Sequence, residues 1–129
     1  MYCLDTNVII DIFRGDASLK SKLEKMYETF DIFVTTTSLC ELYRGAYGHT
    51  KSEEKLKMLE QFISSFNIVS LDKDSCRVFG ESYKKLAKTG SATKDFDLMI
   101  ASIVKTNDFI LVTRDKKHFE NLGINIEIW

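Results

Sequence analysis

Short β-branched and apolar runs alternate along this chain with segments whose apolar residues recur at helical spacing. That alternation limits the fold more than any other feature. The runs are Tyr2 to Leu4, Ile32 to Thr35, Ile68 to Leu71, Phe109 to Thr113 and Ile124 to Ile128. Two strands separated by a helix pair side by side only through a crossover, which makes them parallel. The expectation is an α/β fold, a mainly parallel sheet flanked by helices on both faces. Proline is absent and no linker-like stretch or internal repeat breaks the pattern, so residues 1–129 read as one domain.

The helices are bounded by polar residues. Asn7 is placed to cap a short helix through Phe13 that Gly15 stops, and Asp16 to cap a longer one carrying Leu19, Leu23, Met26, Tyr27 and Phe30. Thr36, Thr37 and Ser38 supply caps for a helix through Leu39, Leu42, Tyr43 and Ala46 that closes near Gly48. Thr50 to Glu53 has a capping-box pattern ahead of the stripe Leu56, Leu59, Phe62, Ile63 and Phe66. Asp72 or Asp74 opens the next helix, through Val78, Phe79, Tyr83 and Leu86, with Gly90 as its stop. A polar link, Ser91 to Lys94, leads to a helix from Asp95 to Thr106 that is apolar around its whole circumference. The aromatics Phe62, Phe66, Phe79 and Tyr83 fit helical core stripes better than a base-stacking platform.

Composition sets outer limits. Apolar residues make up 44% and charged residues 29%, ordinary for a soluble domain. No apolar run approaches the ~20 residues that cross a membrane, and the first residues do not resemble a secretory signal. The expectation is a cytoplasmic protein with no membrane contact. Cys3, Cys40 and Cys76 are odd in number and set among apolar neighbours, which suits buried thiols in a reducing compartment. A net charge of -1 rules out gripping nucleic acid by bulk positive charge and leaves local basic segments open.

Four acids need explaining. Ligands of open parallel sheets bind beyond the carboxyl ends of the strands, and Asp5 and Asp115 both follow predicted strands. Alone, each has a bland account as a turn or cap residue. Asp97 shares a helical stripe with Ile100, Ala101 and Val104, where an unpaired charge is expensive, although it or Asp95 could cap that helix. Glu41 fits a capping box from Ser38, yet Gly45 one turn on and Gly48 beyond leave room for something to approach. Converging carboxylates repel one another unless a cation joins them. Oxygen-only donors suit Mg²⁺ or Mn²⁺, and such ions serve phosphodiester hydrolysis. Arg44 and Arg114 flank these acids and are candidate phosphate contacts. His118 and His49 are the only histidines, and His118 is expected to support the loop after Asp115.

Four segments carry a resemblance: Leu4-Asp5-Thr6-Asn7-Val8-Ile9-Ile10, Glu41-Leu42-Tyr43-Arg44-Gly45-Ala46, Asp97-Leu98-Met99-Ile100-Ala101, and Leu111-Val112-Thr113-Arg114-Asp115-Lys116-Lys117-His118-Phe119. In this order they resemble the successive motifs of PIN-domain ribonucleases, and most of all the VapC-type toxins of bacterial and archaeal toxin–antitoxin pairs. The resemblance implies a five-stranded parallel sheet and an acidic pocket for Mg²⁺ or Mn²⁺. It makes Asp5 and Asp97 direct ligands, and has Glu41 and Asp115 hold a second ion or act through water. Thr6, Asn7 and Thr113 would orient the carboxylates. It also implies an RNA substrate, a homodimer and an antitoxin protein that reaches into the pocket. The competing readings are a PIN-like domain that binds a protein or RNA without cutting, and a metal-dependent DNA nuclease.

Overall fold

The computed structural model describes residues 1–91 and 93–129, so the polar link expected over 91–94 lies partly outside the described residues. The strands are β1 (Tyr2–Leu4), β2 (Ile32–Thr35), β3 (Asn67–Val69), β4 (Ile110–Thr113) and β5 (Asn125–Ile128). The helices are α1 (Thr6–Phe13), α2 (Ala17–Tyr27), α3 (Thr36–Tyr47), α4 (Ser52–Ile63), α5 (Lys73–Thr89), α6 (Asp95–Thr106) and α7 (Lys116–Phe119). All four strand pairings are parallel, and the sheet order is β3-β2-β1-β4-β5. The chain builds outward from β1 to β3, then returns to lay β4 on the other side of β1. The crevice at that reversal, beyond the carboxyl ends of β1 and β4, is where such sheets bind ligands.

Strand alternation divides the core into two layers. Leu4 and its register partner Val112 point to one face, with Val8, Ile9, Leu23, Val34, Leu42 and Leu59. Their chain neighbours Cys3 and Leu111, also register partners, point to the other, with Leu98, Ile100, Ala101, Val104 and Phe119. Central strands covered on both faces must be apolar throughout, which explains why β1 and β4 carry no alternating polar residues.

Several boundaries differ from expectation for identifiable reasons. Helix α1 starts at Thr6, directly after the strand, so Asn7 lies inside it and Asp5 occupies the N-cap position without a side-chain capping bond. Helix α3 is capped by Thr35, the last residue of β2, whose hydroxyl accepts from the Ser38 amide at 2.9 Å. With Thr36 to Ser38 already helical, the box expected between Ser38 and Glu41 does not form. The box at Thr50 to Glu53 is also unformed: Lys51 stands at the N-cap position of α4 and its amide donates to His49 Nδ1 at 3.0 Å. Strand β3 ends at Val69 because the Leu71 amide turns to the Thr36 hydroxyl at 3.2 Å. The one-turn helix α7 had no counterpart in the sequence reading.

Asp16 and Asp72 do cap α2 and α5, and Gly90 ends α5 in the left-handed conformation at φ 68°. Of the three cysteines only Cys3 is buried; Cys40 and Cys76 face solvent from α3 and α5. Tyr83, expected in a core stripe, is 55% exposed. Among the described residues, no helix is long and apolar enough to cross a membrane.

Candidate active site

Asp5 is the fixed point of the site. Its amide donates to the Val112 carbonyl at 2.9 Å, tying the first residue beyond β1 to β4, and the residue is only 2% exposed. The Thr113 hydroxyl donates to Asp5 Oδ2 at 2.8 Å and accepts from the Asp115 amide at 3.0 Å. A hydroxyl with both roles filled has one orientation, so Thr113 aims the Asp5 carboxylate and holds the chain that carries Asp115.

From the α3 side, Thr6 donates its hydroxyl hydrogen to Glu41 Oε1 at 2.8 Å. Glu41 sits mid-helix and one turn before Arg44, whose guanidinium is 4.0 Å from its other oxygen. Asp97 arrives in the first turn of α6, which begins at Asp95 with Lys94 at the cap position, so neither Asp95 nor Asp97 caps it. His118 joins the remaining acid: its Nδ1 lies 3.2 Å from Asp97 Oδ2 and 3.1 Å from Asp115 Oδ2.

These side chains surround a cavity of about 410 Å³. Asp5, Glu41, Asp97 and His118 form its floor and walls, with Thr6, Asn7, Arg44, Lys94, Asp95 and Phe96 completing the lining. The crowding of acids is visible in their proton affinity. Burial pushes Asp5 from 3.8 up to about 6; the Thr113 hydrogen bond opposes this, while the charges of Asp97 and Glu41 add to it. Burial also raises Asp97, against His118 and Lys94, with Glu41 and Asp115 pushing it further up.

Of the sequence candidates, Asp5, Glu41 and Asp97 therefore converge on one cavity. Asp115 does not line it but is coupled to it through Thr113 and His118. Thr6 and Thr113 each donate a hydrogen bond to a carboxylate, of Glu41 and Asp5 respectively. Asn7 lines the cavity but makes no hydrogen bond to these acids among the described contacts. Arg44 stands at the rim. Arg114 is turned away, paired to Asp11 of α1 at 2.9 Å and to Asp16, the N-cap of α2, at 3.6 Å. Phe96 and the bridging role of His118 were missed. The three-residue interval from Asp115 to His118, a helical cap spacing, was the available sign for the histidine.

The carboxylates offer oxygen donors, which suit a hard divalent cation, while the Nδ1 of His118 on the same lining faces Asp97 and Asp115. Among the described residues, no three His, Cys, Asp or Glu side chains form a ready cage for an ion. Mg²⁺ is commonly held by one or two carboxylates and several waters, and the carboxylates on this cavity could supply that number.

The acidic cavity lies at the switch point of this five-stranded parallel sheet, and residues 2–125 match the PIN domain. The chain belongs to the PIN-domain family. Within it, the relatives are of VapC type. Ribonuclease VapC1 of Methanocaldococcus jannaschii is 33% identical over 92% of this chain and 79% of its own length. The tRNA(fMet)-specific endonuclease VapC of Shigella flexneri is 28% identical, covering 99% of this chain and 97% of its own. Among solved structures, VapBC2 from Rickettsia felis, bound to a DNA fragment from its promoter, superposes with a TM-score of 0.94 at 27% identity. That match covers 99% of this chain and 98% of the other. This protein is a VapC-type member of the PIN-domain family.

Proposed function

We propose that this protein is an endoribonuclease that hydrolyses RNA phosphodiester bonds with Mg²⁺ or Mn²⁺, and that it is the toxin of a toxin–antitoxin pair. The convergence of Asp5, Glu41 and Asp97 on one cavity carries this reading. Three carboxylates, one of them buried and pushed up to about 6, form a poor site for RNA by themselves and a good one for a cation.

Asp5 and Asp97 are the direct ligands in this proposal, since burial limits their alternatives. Glu41, held by Thr6, and Asp115, held near Asp97 through His118, orient water or a second ion. When bound, the metal polarises the phosphoryl group and makes water a better nucleophile. Thr113 keeps the Asp5 oxygens in place, and Arg44 and Lys94 at the rim offset the acids' repulsion of incoming phosphates. The relatives named as ribonuclease and endonuclease support RNA as substrate, and the VapBC complex supports a protein antitoxin as partner. Homodimerisation and a cytoplasmic location belong to the same proposal.

The test is incubation of the purified protein with pooled RNA and, in parallel, pooled DNA, in Mg²⁺, Mn²⁺ or chelator. Folded Asp5→Asn and Asp97→Asn variants serve as controls. RNA cutting that requires metal and vanishes in both variants is the expected result. Cutting that survives chelator or both substitutions would sink the carboxylate–metal mechanism.

A further inference from the structure

Phe96 occupies an unusual position for a large aromatic residue. Half-buried in the first turn of α6, it precedes Asp97 in the chain and lines the acidic cavity. Among the described residues it is not packed against either buried core cluster. Compare Phe33, whose ring stacks on Phe109 with centroids 4.5 Å apart inside the fold. The Phe96 ring instead meets Arg44, whose guanidinium carbon lies 5.4 Å from the ring centroid. Arg44 itself is 71% exposed and only loosely paired to Glu41 at 4.0 Å. Thus an aromatic face and a planar cation form a lip across the cavity mouth, one from α6 and one from α3, directly beside the acids.

We propose that this lip is a nucleobase seat: an unpaired base next to the scissile phosphate stacks on Phe96 and Arg44 while the phosphate meets the carboxylates. The inference rests on the nuclease reading and deepens it by naming the residues that hold a base beside the cut. Both surfaces recognise the π-face that every base offers, and stacking of this kind favours single strands whose bases are free to splay. A base in a duplex has its faces covered by its neighbours. Arg also differs from Lys here, because only the guanidinium offers a stacking plane.

The experiment uses single-stranded oligoribonucleotides carrying 2-aminopurine at successive positions, and the same strands in duplex. Fluorescence is followed on binding to the full-length Asp5→Asn protein in Mg²⁺, so that the RNA stays intact. Phe96→Leu, Phe96→Trp and Arg44→Lys are added to that background, with thermal melts confirming that each folds. The expected result is quenching at one position of the single strand only. Phe96→Leu should abolish it and weaken binding by roughly tenfold or more, with Phe96→Trp restoring both. Arg44→Lys should fall between them. Unchanged quenching and affinity in Phe96→Leu, or equal binding of the duplex, overturns the seat. The two readings fail separately. Phe96-dependent quenching by a protein whose wild type cuts no RNA keeps the seat and removes the nuclease. Metal-dependent cutting with unchanged kcat/KM and sequence preference in Phe96→Leu does the reverse.

Discussion

The tips of β1 and β4 lie side by side in the centre of the sheet, and each delivers an acid past the end of a buried strand. The two acids have different surroundings. Asp5 is 2% exposed and occupies a cap position without capping, its carboxylate held instead by Thr113. Asp115 is partly exposed, accepts from the His118 amide at 3.4 Å at the start of α7, and faces the same residue's ring. A local structural duty accounts for Asp115, and nothing local accounts for Asp5. Equivalent positions in a topology thus do not confer equivalent roles. A buried acid that stabilises no helix end and repels its neighbours is a functional-site candidate, and the proposed function gives Asp5 that role.

The sharpest way to break this comparison is Asp5→Asn. If Asp5 serves a cation, the substitution should reduce cutting by about a thousandfold, the equivalent of about 4 kcal/mol in the transition state. Stability should move the other way. Asn keeps an acceptor for Thr113 and removes a charge that the site holds at a disadvantage, so the metal-free variant should melt at the same temperature as wild type or higher. Cleavage rates and thermal melts of one preparation decide it. A variant that melts much lower while still cutting would make Asp5 a structural residue.

How much of this was legible without the structure followed burial. Strands β1 and β4 and helix α6 were placed correctly or within a residue because both faces of the central sheet are covered and the signal is an uninterrupted apolar run. Edge strand β3 was displaced, since its end depends on whether Leu71 finds a strand or the Thr36 hydroxyl. The caps failed where a strand enters a helix without a loop, as at Thr35, because local patterns assume that a loop intervenes. Helix α7 is four residues long and too short to show a period. The strand-end rule and the apolar stripe singled out Asp5, Asp97 and Asp115, of which Asp5 and Asp97 line the cavity, whereas the Arg114 partners depend on how α1 and the start of α2 come together. Phe96 was hidden among the apolar residues of α6, where nothing in the sequence separates a rim aromatic from a core one.

The second prediction concerns protons. With the folded-state value raised from 3.8 to about 6, native Asp5 holds its proton more tightly than the unfolded chain does. Stability of the metal-free protein is therefore full below about pH 4 and is lost as pH rises through about 6, by about 3 kcal/mol in all. Metal binding needs the ionised carboxylate, so affinity for Mg²⁺ should rise with pH up to about 6 and level off above it. Melts between pH 4 and 8, with and without Mg²⁺, should show these opposite slopes in wild type and shallower ones in Asp5→Asn, where Asp97 is the raised acid that remains. Equal slopes in the two proteins would assign the effect to another group.

Thr113→Val tests the link between the two strand tips. Valine keeps the shape but removes the donor to Asp5 and the acceptor for the Asp115 amide. Loss of a group that orients a metal-binding carboxylate typically costs 10–100-fold in affinity, so Mg²⁺ binding by calorimetry should weaken by about tenfold or more. Folding stability should fall by about 1–3 kcal/mol, because a buried carboxylate and a partly buried amide lose partners. Unchanged Mg²⁺ affinity would mean that the Asp5 geometry is set by the backbone bond to Val112 alone.

The smallest effect is expected at Asp115. Asn caps a helix about as well as Asp, so Asp115→Asn should alter stability by less than about 0.5 kcal/mol, while Asp115→Ala should cost about 1 kcal/mol. Removing the charge leaves His118 with Asp97 as its one remaining acidic neighbour at 3.2 Å, which shifts the ring without emptying the cavity. Cutting should fall by about tenfold, two orders of magnitude less than for Asp5→Asn. The paired substitutions separate capping from charge: if Ala and Asn cut equally poorly but differ in stability, the charge acts on the chemistry through His118 and Asp97. A loss in Asp115→Asn as deep as that in Asp5→Asn would erase the distinction between the two strand tips and make Asp115 a ligand in its own right.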